Sequence, residues 1–138
     1  MAIKVGDIYL SQQHVNKTLS LIGNSMLKKP YKDNWSRDNI TYGYCYIMSE
    51  VLYHYAEGDV KAHCINLGKE GTHWFVTINN QIIDFTAAQF NGKIDYNKSI
   101  GKGLLKGGIP TSRGYISKRG YEFACGVQEE IPCPSRCR

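Results

Sequence analysis

No stretch of this 138-residue sequence reaches the ~18 uninterrupted apolar residues that a membrane-spanning helix needs, so no membrane association is expected. The opening "MAIKVGDIYL" lacks the basic region, apolar run and small-residue cleavage site of an export signal, which places the chain in the cytoplasm of the producing cell. Metal-ligand spacing is missing as well. His63 and Cys64 are adjacent, Cys133 and Cys137 sit in the tail, and no CxxC or HxxxH pair supplies a tetrahedral set, so neither a metal nor another cofactor is expected. "GKGLLKGG" lacks the Ser or Thr after Lys, and the preceding strand, that a phosphate-binding P-loop requires. No internal repeat is visible. The five cysteines are an odd number in a chain without a signal, which argues against a disulfide framework and for reduced thiols.

What is present reads as one globular domain over residues 1–124, with a flexible tail over 125–138. The net charge of +5 is spread out rather than gathered into a helix or arm, and nucleic acid is not an expected partner. In residues 11–28 the apolar side chains Val15, Leu19, Ile22, Met26 and Leu27 recur every three to four positions, the spacing of an amphipathic helix, with Ser11 available as its cap. A second helix is expected in "CYIMSEVLYHYAEG", where Met48, Val51, Leu52 and Tyr55 keep the period and Gly58 stops it. The period then shortens. "DVKAHCINL" is rich in strand-compatible residues, and "THWFVTINNQIIDFT" reads as two strands around an Asn79-Asn80 turn. Residues 91–114 read as a long basic, Gly-rich loop of the kind that often serves as a lid, and a last helix is expected after Ser117. Helices followed by an antiparallel meander make an α+β pattern, the central helix packed on the sheet.

The hairpin can be used as a ruler. If Asn79 and Asn80 form the turn, Ile78 pairs with Gln81, and His73, Phe75, Asp84 and Thr86 share one face. His73 and Asp84 become diagonal neighbours, a base and its orienter. Cys45 supplies a nucleophile: it stands in the first turn of a helix, whose unpaired N–H groups and positive dipole stabilise a thiolate. Taken alone, a cysteine is more often a small buried apolar residue. Followed by a histidine on one strand and an aspartate on the next, it is read as catalytic.

Around this triad Asn39, six residues upstream, could donate to an oxyanion beside the Cys45 backbone N–H. Ser49 lies one helical turn beyond Cys45 and Gln89 could close the pocket. Glu50 is expected to face solvent or a lysine, and Trp74 the core.

In its Cys-His-Asp order the chain resembles the papain-like cysteine hydrolases and acyltransferases, with the arrangement of the transglutaminase-like, arylamine-acetyltransferase-like and NlpC-like enzymes. "CYIMSEVLYH", "THWFVTINNQIIDFTAAQF" and "SKRGYEFA", over about residues 40–124, are similar to a group of small bacteriophage-encoded proteins. The resemblance implies a papain-like, transglutaminase-like core and the triad Cys45, His73 and Asp84. The expected function is cleavage or transfer at an amide, isopeptide or thioester bond, with a protein, peptide or small molecule as substrate, of the bacterial host if the chain is phage-encoded. Water as acceptor gives a hydrolase and an amine gives a transferase. The alternative is an inactive version of the fold that captures a host protein or a nucleotide signal.

Overall fold

The structure is a computed structural model that describes residues 2–5, 8–90, 93–99 and 118–127. Among the described residues, two antiparallel sheets and four α-helices give a mixed α+β architecture. Strands β1 (Ala2–Val5) and β2 (Ile8–Ser11) form a hairpin, paired from Ala2 with Ser11 to Val5 with Ile8, which the sequence reading did not anticipate. Helix α1 (Gln12–Ile22) follows at once, and Ser11 caps it by accepting from the His14 N–H at 3.2 Å. Its buried face carries Val15, Thr18 and Leu19. The helix is shorter than the apolar spacing suggested. Gly23 turns to a φ of +59°, its N–H closing on the Leu19 carbonyl at 2.9 Å, so Met26 and Leu27 reach the core from the segment beyond.

After a four-residue turn of helix, α2 (Tyr31–Asn34), comes the central helix α3 (Cys45–Tyr55). Nine of its eleven residues are buried, because β4 packs on one side and the last helix on another. Glu50, expected at the surface, is fully buried in this helix, a consequence of α3 being enclosed rather than lying on the exterior.

Strands β3 (Val60–Asn66), β4 (Thr72–Ile78) and β5 (Gln81–Ile83) form the main sheet in that order. Asn79 and Asn80 take φ values of 51° and 68°, the doubly left-handed turn that asparagine tolerates, and Ile78 pairs with Gln81. One face, with Ala62, Val76, Ile78 and Ile83, joins the core against α3. The other carries His63, His73 and Phe75, whose rings stack in a row at centroid distances of 5.0 and 6.3 Å. The β4–β5 ladder ends at Val76 and Ile83 rather than running on to Thr86, because the Asp84 carboxylate draws in the Thr86 N–H and hydroxyl, each at 3.2 Å, and bends the chain.

Helix α4 (Lys118–Val127) seats Phe123 and Ala124 in the core. The Ser117 cap, the basic loop from residue 100 on and the tail beyond 127 lie outside the described residues. Cys45 and Cys64 are free thiols, whereas Cys125 in α4 is disulfide-bonded, which corrects the expectation of reduced thiols throughout. Among the described residues no helix is long and apolar enough to cross a membrane.

Candidate active site

Cys45 is the first residue of α3, and the residue before it holds it there. Tyr44 is fully buried, packs against Phe123 at 6.2 Å and donates its hydroxyl to the Gly23 carbonyl at 2.6 Å. Burial pushes the Tyr44 hydroxyl up to about 12, so it remains a neutral donor. Cys45 is 9% exposed, and its thiol makes a long contact, 4.0 Å, to the Thr72 carbonyl at the start of β4.

His73, the next residue on β4, is completely shielded, with the Phe90 ring edge-on at 4.7 Å. Its Nε2 meets Oδ2 of Asp84 at 2.7 Å. This is the contact expected from the hairpin register, although Asp84 lies just past the last ladder pair. Nδ1, the other ring nitrogen, is buried and has no hydrogen-bond partner among the described residues. Burial opposes a charge on this ring, but the hydrogen bond to Asp84, the negative charge of that carboxylate and the neighbouring Cys45 sulfur outweigh it, lifting His73 to about 9. The thiol is therefore close enough to act on the ring electrostatically without a well-formed Sγ to Nδ1 hydrogen bond. In the resting arrangement the thiol is turned toward the Thr72 carbonyl.

Asp84 accepts four hydrogen bonds, two at each oxygen. Oδ1 takes the Thr86 N–H and hydroxyl, and Oδ2 takes His73 and the Tyr96 hydroxyl, the last at 2.8 Å. With both oxygens committed, the carboxylate cannot rotate away from the imidazole. Tyr96 was not singled out in the sequence. It sits in a short helical turn, Tyr96–Ser99, with its ring edge against Phe75 at 4.9 Å. Burial first, then the charge and hydrogen bonding of Asp84, raise its pKa, so it is a protonated donor throughout the working range. No local spacing marks it, because its partner is fixed only by the tertiary fold.

Asn39 and Gln89 both reach the site. The Asn39 amide donates to the Gln89 carbonyl at 3.4 Å, the Gln89 side chain accepts from the Gly43 N–H at 3.4 Å, and its own amide donates to the Thr86 carbonyl at 3.0 Å. Gln89 thus clasps the segment before Cys45 to the bend that holds Asp84. Ser49 is buried one turn along α3 and does not line the opening. Trp74 is half-buried: it meets Tyr46 edge to face at 4.9 Å and also forms a wall of the cleft. That cleft, about 590 Å³, is bordered by Cys45, Asn39, Gly43, Thr72, Trp74 and Gln89 among others.

A family model described as YunG protein matches residues 13–103, a span that contains Asn39, Cys45, His73, Asp84, Gln89 and Tyr96. No curated protein and no solved structure matches the chain. Because the match covers more than half of the sequence, from α1 through the turn that carries Tyr96, the chain belongs to the YunG family.

Proposed function

We propose that this protein is a cysteine-nucleophile hydrolase or acyltransferase acting on an amide, isopeptide or thioester bond through Cys45, His73 and Asp84. The observation that carries the reading is a buried histidine held by Asp84 at Nε2, with Nδ1 unpartnered among the described residues and its charge coupled to a free thiol that opens on a cleft. A helix start, a strand and the end of the next strand supply the three groups in the order of the papain-like and transglutaminase-like enzymes, which supports that fold reading.

The Cys45 sulfur attacks the carbonyl carbon, forming a C–S bond. The first-turn N–H of Cys45, with no partner inside its own helix, is the donor proposed for the developing oxyanion, and the Asn39 side-chain amide, which gives one of its two hydrogens to the Gln89 carbonyl, offers the other as a second donor. Protonated His73 gives its proton to the leaving amine or thiol as the C–N or C–S bond breaks, leaving an acyl-enzyme. His73 then takes a proton from water or an acceptor amine, whose attack releases the acyl group. Asp84 keeps the proton on Nε2 throughout, so that Nδ1 is the nitrogen that gives and takes.

The reading is tested by thiol reactivity. At pH 6 to 7, iodoacetamide should alkylate Cys45 much faster than the free Cys64, read by peptide mass spectrometry, and His73→Ala should abolish the difference. Equal, slow alkylation of the two thiols in the wild-type protein would favour the binding-protein alternative, a relic site that captures a host component in the cytoplasm. A covalent acyl adduct trapped on Cys45 from cell lysate would name the substrate.

A further inference from the structure

The cleft beside Cys45 has a chemical bias that the triad does not explain. The aromatic residues Tyr42, Tyr46, Trp74 and Phe90 line it together with the carboxamide residues Asn34, Asn39 and Gln89. Lys69, in the short turn that joins β3 to β4, is the one charged side chain among the described residues that line the cleft, and no carboxylate is among them.

Each component restricts what fits. Aromatic walls reward an apolar or planar group, and carboxamides offer both donors and acceptors to a peptide-type amide without adding charge. A cationic group entering here would find no carboxylate to pair with among the described lining residues. It would face Lys69, while the charge on His73 is already paired with Asp84 and contributes little repulsion of its own. Attraction to the aromatic faces would offset this only in part, since Tyr46 and Trp74 are already turned edge to face onto each other. An anionic group meets the opposite situation, with Lys69 available at the rim.

Resting on the nucleophile reading, we propose that the cleft selects an acyl donor whose scissile carbonyl is flanked by an aromatic or aliphatic group and that bears no positive charge, with Lys69 setting a preference for an anionic over a cationic substituent. Lys69 is exposed, so its influence is that of a single screened charge and is greatest at low salt.

Three peptidyl acyloxymethyl ketones that differ only in the side chain beside the electrophile, Phe, Glu or Lys, test this at low ionic strength, with labelling of Cys45 followed by mass spectrometry. The Phe and Glu probes should label faster than the Lys probe, the Glu-to-Lys rate ratio should be about threefold or more, and Lys69→Glu should lower that ratio about threefold or more. Because the ratio compares two probes on one preparation, a general loss of reactivity does not move it. A Lys probe that labels fastest, or a ratio unmoved by Lys69→Glu, overturns the selection while leaving the nucleophile in place. Cys45 that is alkylated selectively by iodoacetamide yet labelled by no peptidyl probe overturns it too. If iodoacetamide also fails to prefer Cys45 over Cys64, the nucleophile reading itself falls.

Discussion

Tyr96 donates its hydroxyl to Oδ2 of Asp84, the oxygen that also accepts Nε2 of His73, at 2.8 and 2.7 Å respectively. The histidine is therefore positioned by a carboxylate that is itself positioned, on one oxygen by Tyr96 and on the other by Thr86. Tyr96 reaches the histidine through Asp84.

Tyr96→Phe removes one donor from a buried carboxylate and little volume. Loss of a hydrogen bond to a charged group should destabilise the fold by about 1.5–3 kcal/mol, seen as a lower urea midpoint. A purely structural role would stop there. As a positioning residue, Tyr96 should also shift the pH profile of Cys45 alkylation: with one competitor gone, Asp84 binds the His73 N–H more strongly and the alkaline limb moves to higher pH. An unmoved profile would reduce Tyr96 to packing.

The His73 shift makes stability depend on pH. Its folded-state value of about 9 lies above its ordinary 6.5, so the stabilisation is fully present below pH 6.5 and is lost as pH rises toward and through 9. The loss should be on the order of 3 kcal/mol for the wild type. Urea unfolding at pH 6.5 and at pH 9.5 measures it, and in His73→Gln the difference should shrink. Equal slopes in the two proteins would mean that His73 is not the titrating group.

Much of this arrangement is legible in the residues themselves. Helix α3 follows from the recurrence of Met48, Val51, Leu52 and Tyr55, and the sharp turn from two adjacent asparagines able to take positive φ. Because that turn sets the register, it also brings Asp84 to His73. Where the expectation fails, a tertiary or side-chain contact has overridden the local pattern. Asp84 ends β5 early by capturing Thr86, Gly23 ends α1 before Met26, and Glu50 is buried because α3 is covered on several sides. The β1–β2 hairpin is four pairs long, too brief for its alternation of Ile3, Val5, Ile8 and Leu10 to stand out. Tyr96 reaches Asp84 across twelve residues that carry no periodic signal.

Gly43, two residues before the nucleophile, adopts a φ of +81°, and an added Cβ would meet the Leu27 methyls and the Tyr31 Cβ at 3.2 Å. Gly43→Ala should therefore cost about 1–3 kcal/mol from backbone strain and crowding. The same N–H donates to the Gln89 side chain, so the clasp across the cleft loosens with it. The checks are a lowered thermal midpoint together with slower alkylation of Cys45. Wild-type reactivity at reduced stability would show that the approach to the nucleophile does not depend on this turn.

Asp84→Asn is nearly isosteric and separates orientation from packing. The amide oxygen can replace Oδ1 and keep both Thr86 donors, which preserves the bend after β5. The amide nitrogen must then stand where Oδ2 was, facing His73 Nε2 and the Tyr96 hydroxyl. An N–H there requires Nε2 to be an acceptor, so the neutral ring carries its proton on Nδ1, the nitrogen that has to accept one. The charged ring is lost from the neutral range as well, because its stabilising anion is gone. We expect the fold to survive with a loss of about 1–3 kcal/mol, while Cys45 alkylation at pH 7 slows about tenfold or more and turnover of any substrate found falls by roughly 10³-fold or more. If Asp84 served only to hold the bend, alkylation would be unchanged and the cost confined to the urea midpoint. That outcome would remove the orienter from the triad and leave Cys45 and His73 to be explained as a pair.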